Sequence, residues 1–231
     1  MVKKKNTKDV TEERLEAVEE ALTRTERILE KHQKNILSGI AIIIIIVLGY
    51  FSFQKYYLEP KEKDASEQMW MAEKYFGMDS LQLALNGDGN YLGFLDIIDE
   101  YGVTKSANLA NYYAGVCYLR LGQYDEAIEY LGNFSSDDQV LAPMALGAMG
   151  DAYMELGETS KAANKYLAAA EKRDNAFTSP LFYQKAAWAF ELEEDYKEAL
   201  RLQNKLKTDF PTSAEGREAE KYIALLEAKL K

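Results

Sequence analysis

The chain has 231 residues, of which 47% are hydrophobic, and it carries 38 acidic against 28 basic side chains, a formal net charge of −10. This apolar content is enough for a sizeable core, and the low proline count with frequent Ala, Leu, Glu and Lys favours helices over strands. The acidic excess argues against nucleic acid as a partner, because neutralising phosphates needs a basic surface. A single cysteine, Cys117, excludes an internal disulfide.

The first 35 residues combine many charges with a helical pattern of mostly apolar side chains. They contain nine basic and eight acidic residues. Spacings of three and four alternate along the series Leu15, Val18, Leu22, Thr25 and Leu29. This pattern predicts a short amphipathic helix. Weak self-association of this helix and its packing on a membrane surface or on a partner are equally consistent with the pattern.

An uncharged segment follows this tail. The stretch ILSGIAIIIIIVLGYFSF begins with Ile36, ends with Phe53 and contains no charged residue. As a helix it would be about 27 Å long, close to the thickness of a hydrocarbon core. We therefore predict a single transmembrane helix over residues 36–53. A cleaved signal peptide is the alternative, but the region before the segment is long and FQKYYLEP offers no small-x-small cleavage site.

Basic residues flank the uncharged segment unevenly. Nine lie before it, whereas the twenty residues after Phe53 contain only Lys55, Lys61 and Lys63. Cytoplasmic flanks are enriched in Lys and Arg. The bias predicts a cytoplasmic amino terminus, with the larger and more acidic remainder of the chain on the other side of the membrane.

A 35-residue period runs through the second half of the chain. The stretch YLRLGQYDEAIEYL, residues 118–131, is matched by YMELGETSKAANKYL from residue 153, so that an aromatic residue, a Leu-Gly corner and an alanine recur at fixed offsets. A third unit begins at Pro180, after a connection with two extra residues. In each unit one small side chain, at Gly115, Gly150 or Ala187, would let a first helix approach a second closely. Each such pair leaves an apolar face open, so neighbouring pairs must stack.

This pattern resembles the tetratricopeptide repeat, which has a small residue at the eighth position, an aromatic at the eleventh, alanine at the twentieth and a terminal proline. Only the third unit has the terminal proline, as Pro211, and no unit has the tryptophan of the family's fourth position. The resemblance implies an all-α tetratricopeptide-repeat helical solenoid, preceded by the transmembrane helix and the short N-terminal helix. The predicted segments are a cytoplasmic tail at 1–35, the span at 36–53, a linker and degenerate repeat at 54–107, three repeats at 108–212 and a C-terminal capping helix at 213–231.

The resemblance also implies a binding groove, because the first helices of tetratricopeptide pairs line a groove for proteins or peptides in the family. The family's groove positions correspond here to a mixture of apolar and charged side chains: Leu109, Tyr112, Arg120, Met144, Asp151, Met154, Glu155, Leu181, Gln184, Trp188 and Glu191. Only Arg120 is basic, which argues against a clamp for a terminal carboxylate. We expect a protein or unfolded polypeptide as partner, bound through an apolar or basic segment.

Candidate catalytic and ligand-binding groups are few. Cys117 has no histidine on its side of the predicted span, because His32 is the only histidine in the chain, and this excludes a Cys-His nucleophile. The glycine-rich stretch from Gly87 to Asn90 lacks the Lys-Ser/Thr of a phosphate loop and the spaced carboxylates of a calcium loop. We predict no enzymatic activity, no cofactor, no metal site and no small-molecule substrate.

The order of tail, span and repeat array is similar to that of the membrane-anchored tetratricopeptide proteins of bacterial envelopes, a family that includes the ancillary subunit of the Sec translocon. The stretch DFPTSAEGREAEKYI also resembles the repeat ends of outer-membrane assembly proteins. The resemblance implies a bacterial inner-membrane protein with a periplasmic array, acting as an accessory or chaperone-like subunit of a translocation or envelope-assembly machine. The alternatives are a structural scaffold that bridges two complexes and a cytosol-facing import receptor of reversed topology.

Overall fold

The computed structural model describes residues 32–35 and 37–231. The predicted helical series from Leu15 to Leu29 and the first residue of the predicted span, Ile36, lie outside the described residues. The chain divides into two units, Met1–Tyr57 and Leu58–Lys231.

The described part of the first unit is an apolar helix, α1, over residues 37–53. Its large apolar side chains, including the run of isoleucines, are exposed. Among the described residues, one helical stretch, His32–Gly77, is long and apolar enough to cross a membrane by length and composition, and none of its most apolar window is buried. A π-helical turn, Gln54–Leu58, follows α1.

The described residues of the second unit form helices and connections, with no strand among them. The helices are α2 (Glu59–Gly77), α3 (Leu81–Asn86), α4 (Phe94–Tyr101), α5 (Lys105–Arg120), α6 (Tyr124–Asn133), α7 (Leu141–Glu155), α8 (Thr159–Lys172), α9 (Ser179–Leu192), α10 (Tyr196–Asp209) and α11 (Ala214–Lys229). The prediction of an all-α fold is confirmed.

Helices α5 to α10 form three successive hairpins, α5–α6, α7–α8 and α9–α10, and each hairpin packs on the next. A Cβ atom built on Gly115 would lie 2.5 Å from Leu131 Cγ of α6, and one on Gly150 would lie 2.5 Å from the ring of Tyr166 in α8. Ala187 is buried in the third pair. The prediction that small side chains permit close approach within a pair is confirmed for the first two pairs. Stacked helix pairs of this kind form a helical solenoid.

The Leu-Gly corner of the sequence has a backbone cause. The residue that links the two helices of each pair has a positive φ, +76° at Gly122, +73° at Gly157 and +60° at Glu194. Glycine adopts this conformation without steric cost, which explains its recurrence in the first two units. The third unit keeps the same backbone conformation with a glutamate.

The segment before the three pairs contains one more helix than the sequence predicts. The degenerate repeat predicted within residues 54–107 would have two helices divided by the turn-rich stretch from Gly87 to Asn90, but the structure also breaks the first of them at residues 78–80 to give α2 and α3. Asp79 has φ +59° at this break, and its carboxylate pairs with Arg120 of α5 at 2.7 Å. The short helix α3 can therefore turn back and pack on α2 and α4.

Helix α2 is attached to the array through the start of α5. The Glu62 carboxylate accepts hydrogen bonds from the backbone N–H of Lys105 at 2.5 Å and from the hydroxyl of Ser106 at 2.8 Å. A carboxylate at the amino end of a helix satisfies free N–H groups and is favoured by the helix dipole. Nearby, Tyr101 donates to Asp64 at 2.7 Å, and this hydrogen bond with burial raises the pKa of Tyr101 to about 12.

Candidate protein-binding cleft

The carboxyl ends of α5, α7 and α9 border an open cleft of about 530 Å³. We call it the α5–α7–α9 cleft. Its lining combines leucine, methionine and aromatic side chains with four charged groups: Leu119, Arg120, Tyr124, Asp151, Met154, Glu155, Tyr166, Lys185, Trp188, Ala189 and Leu192. A concave, mostly apolar surface with a few polar groups is the usual form of a binding site.

The cleft opens towards the carboxyl ends of α7 and α9, because residues of earlier turns of these two helices are in direct contact. The ring of buried Phe182 in α9 lies over Gly147 of α7, so closely that a Cβ atom on Gly147 would be 2.0 Å from Phe182 Cε1. No space for a partner is left between α7 and α9 at that level. The accessible surface between these helices therefore lies towards Glu155 and Leu192.

A polar cluster links three helices on the floor of the cleft. Asp151 of α7 accepts hydrogen bonds from Tyr166 Oη of α8 at 2.6 Å and from Lys185 Nζ of α9 at 2.7 Å. The Lys185 ammonium also lies 5.3 Å from the centre of the Tyr166 ring. Burial, followed by the hydrogen bond to Asp151, raises the pKa of Tyr166 well above its usual range. Tyr166 is therefore a neutral donor to the aspartate, whose negative charge faces a lysine.

Arg120 and Glu155, the other two charged groups of the lining, differ in their partners. At the α5 end, the Arg120 guanidinium pairs with Asp79 at 2.7 Å and lies 5.7 Å from the centre of the Phe76 ring. Glu155, between α5 and α9, accepts a hydrogen bond from Tyr124 Oη at 3.3 Å. Burial and the charge of Glu155 raise the pKa of Tyr124, so that this hydroxyl also stays protonated.

Apolar surface is concentrated on α9. The side chain of Trp188 is 46% exposed and that of Leu192 is 66% exposed. The indole meets the Tyr222 ring of α11 edge to face, with 6.3 Å between ring centres. A large aromatic side chain held on one edge and open on the other is well suited to contact a partner.

Residues 109–137, which cover most of α5, all of α6 and the connection after it, match the family model of the tetratricopeptide repeat. This segment is a tetratricopeptide repeat. The α7–α8 and α9–α10 pairs repeat its helical packing, so that the second unit is an all-helical solenoid whose packing is consistent with tetratricopeptide repeats. No curated protein matches the sequence.

The structure brings together five of the eleven residues that we carried over from the family's groove positions. They line the α5–α7–α9 cleft: Arg120, Asp151, Met154, Glu155 and Trp188. All five come from the ninth, twelfth or thirteenth position of a tetratricopeptide unit. The second and fifth positions do not contribute, because they lie in the amino-terminal halves of the first helices.

The other six predicted residues have separate environments. Leu109 and Tyr112 are half-buried: Leu109 packs on the apolar cluster formed by α2 to α5, and Tyr112 packs on the cluster between α6 and α7. Met144 and Leu181 are exposed outside the cleft lining. Glu191 pairs with Lys229 of α11 at 2.7 Å. Gln184 is only 4% exposed, and its amide has no hydrogen-bond partner among the described residues. Its burial corrects the expectation that Gln184 is accessible to a partner.

Six lining residues are not among these eleven: Leu119, Tyr124, Tyr166, Lys185, Ala189 and Leu192. Tyr124 and Tyr166 belong to second helices, and Lys185 occupies the sixth position of its unit, between two groove positions of the family. The spacing of tetratricopeptide positions carries no signal for these three. Their place in the cleft depends on contacts between residues that are far apart in the sequence.

Chemically reactive groups are sparse around the cleft. Cys117 is buried one turn before Leu121, and burial raises the pKa of its thiol to about 12, so the thiol is neutral and a poor nucleophile. Within residues 32–35 and 37–231, no three His, Cys, Asp or Glu side chains form a group that could hold a metal ion. Tetratricopeptide-repeat folds are typically protein-interaction scaffolds.

Proposed function

We propose that this protein is a single-pass membrane protein whose tetratricopeptide array binds polypeptide segments in the α5–α7–α9 cleft, on the periplasmic side of a bacterial inner membrane. The observation that carries the proposal is the combination of exposed Trp188 and Leu192 with Met154 and charged groups in one open cleft. Tetratricopeptide domains generally bind proteins or peptides, and the exposed aromatic edge provides an anchor for an extended chain.

The composition of the cleft favours a polypeptide over a small molecule. Binding energy at protein interfaces is concentrated in aromatic side chains, and methionine adapts to partners of different shape. Trp188, Met154 and Leu192 together supply such a surface. The cleft is open along the helix ends, so a chain can pass through it and need not fit an enclosed cavity.

Site-specific photocrosslinking tests the proposed binding. Benzoylphenylalanine at position 188 in intact membranes is expected to form adducts with polypeptides, because Trp188 lines the cleft. The matched control is the same probe at position 177, since Phe177 is 77% exposed in the connection between α8 and α9. The readout is the pattern of adducts on denaturing gels. An identical pattern from both positions, or no adduct from position 188, would contradict the proposal.

The proposed membrane anchoring is supported by α1 and by its flanks. The apolar side chains of α1 are exposed, as expected for a lipid-facing helix. The nine basic residues before the segment favour a cytoplasmic amino terminus. Attachment to a membrane would raise the concentration of the cleft near emerging chains, so that weak contacts could still be productive.

A topology reporter tests the orientation. Alkaline phosphatase fused after Lys231 is expected to be active in intact cells, because the enzyme folds correctly only outside the cytoplasm. A fusion of the same reporter before the basic tail is the control and is expected to be inactive. Activity of the amino-terminal fusion alone would reverse the orientation and favour a cytosol-facing receptor.

We further propose that the protein acts as an accessory or chaperone-like subunit of a translocation or envelope-assembly machine. Support comes from the resemblance in layout to membrane-anchored tetratricopeptide proteins of bacterial envelopes. The binding surface described above, with its adaptable apolar side chains, fits transient contacts with many segments better than one permanent interface.

A further inference from the structure

Most charged groups around the α5–α7–α9 cleft already have partners of opposite charge. Asp151 faces Lys185, with 2.7 Å between Oδ1 and Nζ, and Arg120 faces Asp79 at 2.7 Å. Just beyond the lining, Glu191 pairs with Lys229 at 2.7 Å. The opposite charges of each pair cancel locally. A ligand that bound to any of these charged groups would first have to break an existing ion pair.

Glu155 is the exception among the charged groups that line the cleft. Within the part of the chain that the structure describes, its carboxylate makes no salt bridge and accepts one hydrogen bond, from the neutral Tyr124 hydroxyl at 3.3 Å. Its side chain is exposed. A negative charge in a cleft with aromatic walls is therefore left without a cation.

The position of Glu155 at the end of a helix strengthens the local negative potential. It is the last residue of α7, where the carbonyl end of the helix dipole favours a cation and disfavours a carboxylate. The equivalent residue of α5 is Arg120, which satisfies this preference. At the end of α7, a cation from outside would complement both the carboxylate and the negative end of the helix dipole.

Aromatic rings add a second feature that favours a cation. Tyr124, Tyr166 and Trp188 line the same cleft as Glu155, and the faces of such rings attract lysine and arginine side chains. The Lys185 ammonium group already lies 5.3 Å from the centre of the Tyr166 ring. The rings of Tyr124 and Trp188 are available to contact a cation of the ligand, and the adjoining Leu192 provides apolar surface.

We propose that the α5–α7–α9 cleft recognises a polypeptide segment by one lysine or arginine side chain, which binds at Glu155, next to an apolar side chain that packs on Trp188 and Leu192. This inference rests on the proposed function and specifies the chemistry of its ligand. Glu155 is the specificity-determining residue, and the Asp151–Lys185 pair limits the cleft to a single cation.

The test uses the full chain in lipid nanodiscs and follows the fluorescence of Trp188. Trp70, the other tryptophan, is replaced by phenylalanine in every variant. The probes are heptapeptides with blocked ends, Ala-Leu-Ala-Xaa-Ala-Leu-Ala, in which Xaa is lysine, norleucine or glutamate. The lysine peptide is expected to bind roughly fivefold more tightly than the norleucine peptide, the gain of a partly exposed ion pair. The glutamate peptide is expected to bind most weakly.

Two substitutions assign the effect to named groups. Glu155→Gln is expected to abolish the difference between lysine and norleucine peptides by weakening the binding of the lysine peptide. The matched control is Glu129→Gln, which removes the same charge from an exposed position of α6 outside the cleft and is expected to keep the preference. Lys185→Met is expected to increase the preference, because it releases Asp151 as a second carboxylate.

The outcomes separate this inference from the proposed function. Equal binding of the lysine and norleucine peptides, unaffected by Glu155→Gln, would overturn the inference and leave the peptide-binding cleft standing. Failure of all three peptides to change Trp188 fluorescence would overturn both. If Glu129→Gln removed the preference for lysine as effectively as Glu155→Gln, the preference would depend only on the net charge of the protein. That result would also overturn the assignment of the preference to Glu155. Far-UV circular dichroism establishes that each variant is folded.

Discussion

Replacement of Phe94 by alanine is expected to lower the free energy of unfolding by about 4 kcal/mol. Phe94 is fully buried in α4, and its ring stacks on Tyr113 of α5 with 5.1 Å between ring centres. Phe76 of α2 meets both rings edge to face. The three aromatics join α2, α4 and α5, so the substitution would remove both buried area and ring contacts.

The measurement is urea unfolding of the detergent-solubilised chain, followed by far-UV circular dichroism. Phe177→Ala is the matched control, because it deletes the same side chain from a position that is 77% exposed, and its effect is expected to stay within about 0.5 kcal/mol. The stability of a repeat array is nearly a sum of contacts between neighbouring helix pairs. In the Phe94→Ala variant, helices α2, α3 and α4 are therefore expected to unfold at lower urea concentration than α5 to α11. Equal effects of the two substitutions would contradict this description of the core.

Replacement of Gly115 by alanine is expected to destabilise the array by about 2 kcal/mol, although alanine is the better helix former. The new methyl group would lie 2.5 Å from Leu131 Cγ and 2.9 Å from the Leu131 backbone nitrogen. Leu131 is buried, and the backbone of α6 can yield only if the helix pair opens. The gain in helix propensity is smaller than this cost.

The control for this second prediction is the same substitution in the facing helix. A Cβ atom on Gly132 of α6 would meet Met149 Cε at 3.8 Å, an ordinary contact. Gly132→Ala is therefore expected to raise the free energy of unfolding by about 0.5 kcal/mol. Thermal and urea unfolding of the two variants should shift in opposite directions. A shift in the same direction would show that the close approach of α5 and α6 is not what requires glycine at position 115.

These expectations show which features of the fold are readable from local sequence. The period of 35 residues places small residues where the helices of one pair touch, and Gly115 and Gly150 indeed face Leu131 and Tyr166 of their partner helices. The positive φ at Gly122 and Gly157 accounts for the recurring corner. The break at Asp79 was not predicted: φ is +59° there, and the carboxylate pairs with Arg120 of a later helix, a contact that the local sequence does not indicate.

The cleft was predictable only in part. Residues at the ninth, twelfth and thirteenth positions of the tetratricopeptide units were found, among them Asp151, Glu155 and Trp188. Their pairing was not predictable, since Lys185 lies 34 positions after the aspartate that it contacts. Burial of Gln184 was equally hidden, because the position is exposed or buried according to how closely adjacent pairs pack.

The sequence by itself determined the helical class, the repeat, the apolar segment and the small residues at the helix contacts, because each of these depends on neighbours within one or two turns or within one helix pair. Only the tertiary structure decided where the cleft opens and which of its charges are free. Phe182 closes the space over Gly147, and Lys185 forms an ion pair with Asp151, whereas Glu155 has no ion-pair partner among the described residues. Such outcomes depend on side chains from different repeats meeting in space, and the register between repeats is set by packing.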